Sequence, residues 1–252
     1  MRHRFFTAPR PLVFAHRGGS ALAPENTIDA FDNGLALGAD GLELDVHLSV
    51  DGVVVVHHDR SLERTTRLRG PVAARSAGEL AAAGVPALSE VLTRYADARV
   101  IIEMKENRPE LAAAVVDVVW RANAVERVCL GSFGRRVLRA ARAIEPAIAT
   151  SAAREEVRWA LYRSWVRWPV MNVGYGGYQV PEWAGRTRVV SPYFVDASHR
   201  AGLAVQVWTV DDRADAARLL SWGVDALITD RPDIIVPLVK KREGTGDWGL
   251  GD

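Results

Sequence analysis

Glu43, Asp45, His47, His57 and His58 interrupt a stretch, GLELDVHLSVDGVVVVHHD over residues 41–59, that otherwise reads as apolar strand. Two more apolar runs end in ionisable groups: VIIEMK places Glu103 and Lys105 on one face, and VFAHRGG ends in His16, Arg17 and two glycines. Three carboxylates brought together repel, which raises their proton affinity or demands a cation. Oxygen ligands from Glu43, Asp45 and Glu103 suit one hard divalent ion, Mg2+ or Ca2+. Beside such an ion, Arg17 can bind two oxygens of a phosphate in a fork and Lys105 supplies a point charge. Gly18 and Gly19 would let the backbone approach a ligand closely. His16 and His58 have the proton affinity to serve as base and acid when a phosphoester is broken. Together these groups outline a site for cleaving a phosphodiester.

The stretch itself predicts how its groups are gathered. Asp51 and Gly52 sit between two apolar arms and predict a two-residue hairpin loop, a type I′ turn with both residues at positive φ. Counting outward from that loop pairs His47 with Val56, Val46 with His57 and Asp45 with His58. Alternation then puts Glu43, Asp45, His47 and His58 on one face and sends His57 to the other. His47, nearer the turn, is expected to support its neighbours or face solvent, and His57 to be structural or exposed.

These residues need a frame that brings strand ends together. Eight apolar runs read as strands: PLVFAH, GLELDV, VIIEMK, RVCLGS, AIATS, VMNV, LAVQVWT and ALITD. Helical patterns follow most of them, over Asn26–Leu37, Pro109–Ala122, Arg135–Ile144, Glu155–Trp165, Asp212–Trp222 and Pro232–Lys241. The alternation predicts an α/β fold, a TIM-type (β/α)8 barrel in which the second arm of the hairpin is an excursion after strand 2 at the active-site mouth. An open doubly wound sheet is the other closure. A chain of 252 residues fits one barrel, so residues 1–240 are expected to form a single catalytic domain and 241–252, rich in glycine and charge, a fraying tail.

Composition narrows the partners. With 32 basic and 31 acidic residues there is no global field to recruit nucleic acid or an acidic membrane, so anion recognition must be local. The single cysteine, Cys129, allows neither an internal disulfide nor a cysteine-built zinc site, and reads as a small buried apolar residue. The basic N-terminus meets prolines before any long apolar run, so no signal peptide or membrane span is expected, and the protein reads as cytoplasmic. One segment, VRWALYRSWVRWPVMNVGYGGY, concentrates tryptophan, tyrosine and arginine. It reads as a helix packed on the barrel, with a lip for a lysolipid chain, and hence peripheral lipid contact, as the alternative.

Taken in order, HRGGSALAPENTIDAF, GLELDVHLSVDGVVVVHHDRSLERTT, IEMK, VQVWTVDD and GVDALITDRPDII resemble the glycerophosphodiester phosphodiesterase family from about Val13 to Ile235. The resemblance implies a β/α barrel, a divalent metal at Glu43, Asp45 and Glu103, catalytic histidines His16 and His58, phosphate contacts from Arg17 and Lys105, and Trp208 lining the pocket. The expected reaction is hydrolysis of a glycerophosphodiester to glycerol 3-phosphate and an alcohol, His16 acting as base and His58 as acid, with exchange of the roles or attack by the substrate's own hydroxyl to give a cyclic phosphate left open. Lysophospholipase D-like cleavage of lysophospholipids and a phosphate-binding module without turnover are the alternatives. The chain departs from the family in reading EMK for EIK and WTVD for WTVN, which brings Asp211 toward the rim. A short segment over Arg67–Gly84 stands where some members carry an insertion, so an open mouth is expected.

Overall fold

The computed structural model describes residues 3–171 and 173–245, with the side chains of 242–245 outside the description. Its strands in chain order are β1 (Leu12–His16), β2 (Gly41–Leu48), β3 (Val54–Val56), β4 (Arg99–Met104), β5 (Val128–Gly131), β6 (Ala149–Thr150), β7 (Gly177–Pro181), β8 (Trp183–Ala184), β9 (Thr187–Arg188), β10 (Ala204–Trp208) and β11 (Ala226–Thr229). Its helices are α1 (Ile28–Ala36), α2 (Ala77–Ala82), α3 (Leu88–Arg94), α4 (Pro109–Arg121), α5 (Arg135–Ile144), α6 (Arg154–Trp165), α7 (Pro192–Arg200), α8 (Arg213–Ser221) and α9 (Pro232–Thr245). Eight strands pair in parallel in the order β6, β5, β4, β2, β1, β11, β10, β7. A parallel bridge between Ser151 and Gly177 joins the two ends, so the sheet is a nearly closed β/α barrel. The only antiparallel partner on this sheet among the described residues is β3, the returning arm of the hairpin on β2.

Alternation along the strands explains which residues face inward. Leu12 and Phe14 of β1, Ile101 of β4, Cys129 of β5, Ala204 of β10 and Ala226 and Ile228 of β11 fill the lower barrel with Phe5 and Phe6. Those two phenylalanines come from a short 3-10 turn, Arg4–Phe6, and Phe5 stacks on Phe14 with ring centroids 5.7 Å apart. Truncating Phe14, which is fully buried, would cost about 3–5 kcal/mol. The residues between them point outward, where Leu42, Leu44, Val100 and Ile102 meet α3 and α4, and Val205, Val207 and Leu227 meet the later helices. Continuing the inward series two residues toward the strand ends exchanges apolar for polar groups: His16, Glu43, Asp45 and Glu103. The polar site therefore sits on an apolar plug, at the C-terminal ends of the strands.

Helix starts follow their capping residues. Thr27 accepts from the Ala30 N–H, Ser191 from Phe194 and Asp212 from Ala214 and Asp215, while Pro109 opens α4.

Several sequence expectations are corrected. VMNV is not the barrel strand: Val170, Met171 and Val173 lie outside any strand, Asn172 lies outside the described residues, and the sheet position is taken by Gly177–Pro181. The strand must pack flat against β10, and there Gly177 fits because a Cβ would meet the Ala204 carbonyl oxygen at 2.8 Å. α9 continues past Lys241 to Thr245, so the expected tail is helical at its start; its remainder, 246–252, lies outside the described residues.

The hairpin register also differs by one residue. His47 pairs with Val55 and Val46 with Val56. Ser49 donates its N–H to Val53 at 3.0 Å and accepts from the Gly52 N–H at 3.1 Å, so the loop is Val50–Gly52. Gly52 alone in it has positive φ, +78°, the pattern of a three-residue loop. Asp51 is held out of the left-handed region by its own partners, the Ser49 hydroxyl at 2.5 Å and the Ala77 N–H at 3.0 Å. The short Arg67–Gly84 segment is not bare: it forms a 3-10 turn and α2, whose Val72 and Leu80 pack with Val55, Leu62 and Val85 beside the hairpin.

Candidate active site

A one-residue slip should have sent His58 to the wrong face. It does not, because β3 ends at Val56: the His57 N–H makes a last bond to the Asp45 carbonyl at 2.9 Å, and the chain then leaves the ladder. His58 lies within electrostatic reach of Asp45, Lys105 and Arg17. His57 is turned away and buried, its ring bonded to the Asp59 carbonyl at 2.8 Å and the Thr65 hydroxyl at 2.9 Å. The expected grouping thus stands for a different reason from the one the turn suggested.

Both histidines on the site are held through Nδ1 by a carboxylate. His16 Nδ1 donates to Asp230 at 2.7 Å, and Asp230 also accepts from the Ser20 hydroxyl at 2.6 Å. His58 Nδ1 donates to Asp59 at 2.6 Å. Each pairing fixes the ring and leaves Nε2 free to exchange a proton. Arg64 bonds Asp59 and forks onto Glu25, which in turn accepts from Arg17 at 3.1 Å, so a chain of charges ties the hairpin end to the β1 loop. His47 is buried behind this chain, its Nε2 3.2 Å from the His58 carbonyl and its Nδ1 3.2 Å from Glu106. It braces the segment that carries His58.

The acids lie on two neighbouring strands, Glu43 and Asp45 on β2 and Glu103 on β4, with Glu43 level with His16 of β1 and Asp45 level with Glu103. Glu43 accepts the Arg17 backbone N–H at 3.1 Å and lies 3.8 Å from His16 Nε2. Asp45 takes Lys105 at 3.1 Å and the Asn26 amide at 3.1 Å, and Arg17 Nε lies 3.3 Å away. That Nε is close enough to form an ion pair but is not aimed along a hydrogen bond, and it is buried without such a partner. Glu103 accepts the Phe133 N–H, and Gly131 gives it room: a Cβ there would stand 2.6 Å from its Oε2. Among the described residues no three His, Cys, Asp or Glu side chains are grouped closely enough to hold a metal ion as they stand, and Asp45 is engaged by Lys105 and Arg17.

Burial, with repulsion from Asp45, raises the Glu43 carboxyl above the usual range. Burial again, with Asp45 and Glu43 adding to it against Lys105, pushes Glu103 up to about 8. The histidines are driven apart. Burial alone would depress His16, but Glu43 and Asp230 outweigh it and raise its proton affinity. His58 is depressed by burial, which Asp45 and Asp59 only partly offset.

Trp208 is partly buried at the inner end of β10, its ring edge-on to exposed Phe133 at 6.1 Å, with the Arg154 guanidinium 4.7 Å over Phe133. Two expectations at the rim change. Asp211 is not a loose rim charge, since it accepts from the Asp230 N–H at 2.7 Å and the Thr229 hydroxyl at 2.9 Å and thereby fixes the strand end that holds His16. Gly18, at φ +89°, is required by α1 rather than by a ligand, as a Cβ would meet that of Ala30 at 2.6 Å, and one on Gly19 would meet the Pro232 ring at 3.0 Å. Sequence reasoning missed Asp230, Asp59, Asn26, Glu25 and Arg64. Asp230 could have been found, because it ends an apolar strand on the inward series, as could Asp59, the immediate neighbour of His58; the other three lie in loops that show no period.

The chain matches the model of the glycerophosphoryl diester phosphodiesterase family over residues 16–234. A glycerophosphodiester phosphodiesterase of Caldanaerobacter subterraneus subsp. tengcongensis is 31% identical over 250 residues, covering 92% of this chain and 99% of that protein. The crystal structure of a glycerophosphodiester phosphodiesterase from Agrobacterium tumefaciens, 29% identical, superposes with a TM-score of 0.75 over 90% of this chain and 99% of that one. An Oleispira antarctica phosphodiesterase, 27% identical and solved in complex with the product sn-glycerol-3-phosphate, superposes with a TM-score of 0.74 over 92% of this chain and 97% of that one. The match spans the barrel from the histidine ending β1 to the first turn of α9, and the chain belongs to the glycerophosphoryl diester phosphodiesterase family.

Proposed function

We propose that the protein is a metal-dependent phosphodiesterase that hydrolyses glycerophosphodiesters to glycerol 3-phosphate and an alcohol. The observation that carries this reading is the pair of Nδ1-tethered histidines set about three acids, Glu43 and Asp45 buried and Glu103 partly so, and two cations at one barrel mouth. The glycerol-3-phosphate complex of the Oleispira relative supports the substrate class.

The donor set fits a divalent cation. Glu43 and Glu103 have raised proton affinity because burial and mutual repulsion outweigh the nearby positive charge, and a hard ion relieves that excess as protons do. Glu43, Asp45 and Glu103 would hold it, with Mg2+ and Ca2+ both compatible with an all-oxygen set. When bound, the ion would supply charge neutralisation and polarise a phosphoryl oxygen. Sharing Asp45 with an ion would weaken its hold on Arg17 and Lys105, whose guanidinium and ammonium can then bind phosphate oxygens; the unpartnered Arg17 Nε is a donor suited to this. Trp208 and Phe133 would flank the substrate on the opposite side.

The two histidines divide the proton transfers. Without an ion, the burial of His16 is outweighed by Glu43 and Asp230, which raise its proton affinity, while burial lowers that of His58, which suits His58 as base and His16 as acid; an ion held by Glu43 would remove part of that difference, so the exchange of roles left open from sequence stays open. Asp230 and Asp59 keep each Nε2 in place through the cycle. His16→Ala and His58→Ala should each lower kcat on glycerophosphocholine by on the order of 10²- to 10⁴-fold with an unchanged melting temperature. Near-normal turnover by either folded variant contradicts the assignment.

A further inference from the structure

The segment rich in tryptophan and arginine has no part in the site. In a parallel barrel the helix after a strand runs back toward the opposite end, so α6, about 18 Å long, carries Trp165 and residues 166–171 away from the mouth. This removes the lysolipid lip considered from sequence. Val157, Ala160, Leu161 and Ser164 form the helix face turned to the barrel. Trp159, Tyr162 and Val166 form a second apolar stripe on the other side, and Trp165 and Trp168 are each 64% exposed.

We propose that this face docks the protein on an anionic lipid bilayer, with the barrel lying on its flank and the mouth open to solvent. Charge and side-chain type both select that partner. Residues 157–181 hold three arginines and no acid, in a chain whose charges otherwise balance. Among the described residues, Arg158, Arg163 and Arg167 form no ion pair with a carboxylate. Arg163 lies between two indoles, 4.1 Å from the Trp159 ring centre and 5.4 Å from that of Trp168, and its buried Nε lacks a hydrogen bond. Beside it, Arg167, Trp168, Met171, Tyr193 and Arg200 line a groove of about 490 Å³; Arg200 is paired with Asp196, so Arg167 is the groove's cation without a carboxylate partner among the described residues, set beside aromatic and apolar walls suited to a phosphate headgroup and the start of its chain. Tryptophan and tyrosine favour the interface between water and hydrocarbon, and arginine beside them attracts anionic headgroups. A second copy of this chain is a poorer occupant, because a two-fold contact would set arginine against arginine.

The test is cosedimentation of the full chain with vesicles of phosphatidylcholine alone or mixed with phosphatidylglycerol, at low and high salt. Binding to anionic vesicles at least ten-fold stronger than to neutral ones, weakened by salt, is expected. Trp165→Ser/Trp168→Ser and, separately, Arg158→Glu/Arg167→Glu, both at exposed positions, should each reduce it at least ten-fold, with thermal melts and turnover of soluble glycerophosphocholine unchanged. Absence of binding by the folded protein, or undiminished binding by both double variants, overturns the proposal. So does self-association that both double variants abolish in a protein that ignores vesicles, since the face would then join two copies. Vesicle binding needs no turnover, so this outcome is independent of the proposed hydrolysis.

Discussion

Glu103 and Glu43 show how a residue can be chosen against stability. Each stands where an apolar strand residue would pack, and each binds its proton more tightly than a carboxyl in water. The linkage sign follows. For Glu103 the folded affinity, about 8, lies above the unfolded value near 4.5, so its contribution to stability is full below about 4.5 and is lost as pH rises through about 8. Chelator-stripped protein should therefore lose melting temperature between pH 5 and 9 more steeply than Glu103→Gln. Added Mg2+ or Ca2+ should raise the melting temperature more at pH 8.5 than at pH 6, because ion and proton compete for the same oxygens. Equal slopes for the two proteins, or a pH-independent ion effect, would count against this account of the acid cluster.

At the scale of elements, the inward series of each strand was legible in advance, since alternation alone puts His16, Glu43, Asp45 and Glu103 inside the barrel. What was illegible depended on tertiary contacts. The turn at Asp51 adopted a longer loop because Ser49 and Ala77 claim its carboxylate, and the sixth barrel strand fell on a glycine-rich stretch with little strand propensity because flatness against β10 decides there. The carboxylates that orient the histidines arrive from residues 59 and 230, of which only the first is a sequence neighbour. Gly131 tests the argument from packing. A methyl group there meets Glu103 Oε2 at 2.6 Å and Gln179 Oε1 at 2.9 Å, so Gly131→Ala must displace the Glu103 carboxylate. Turnover should fall at least ten-fold while the melting temperature drops by only a few degrees, corresponding to about 1–3 kcal/mol; unchanged kinetics would mean that the position of Glu103 does not matter.

For the whole molecule, two helix-facing apolar clusters share one sheet and are joined through the barrel interior by the Phe5 and Phe14 plug. Neither half can lose its helices without exposing strands of the other, so circular dichroism and tryptophan fluorescence should report one coincident thermal transition. Two separated transitions would show that the chain is divided into units. No helix among the described residues is long and apolar enough to cross a membrane. The central claim, that ion, cations and histidines at the mouth act together on a phosphodiester, is tested most directly by phosphorus NMR. Chelator-stripped protein would be incubated with glycerophosphocholine, glycerophosphoethanolamine and a lysophospholipid, with Mg2+, with Ca2+ or with neither. A monoester signal that grows from the glycerophosphodiesters only with a divalent ion is the predicted result; phosphate chemistry unchanged under every condition, or equally fast without an ion, would contradict it.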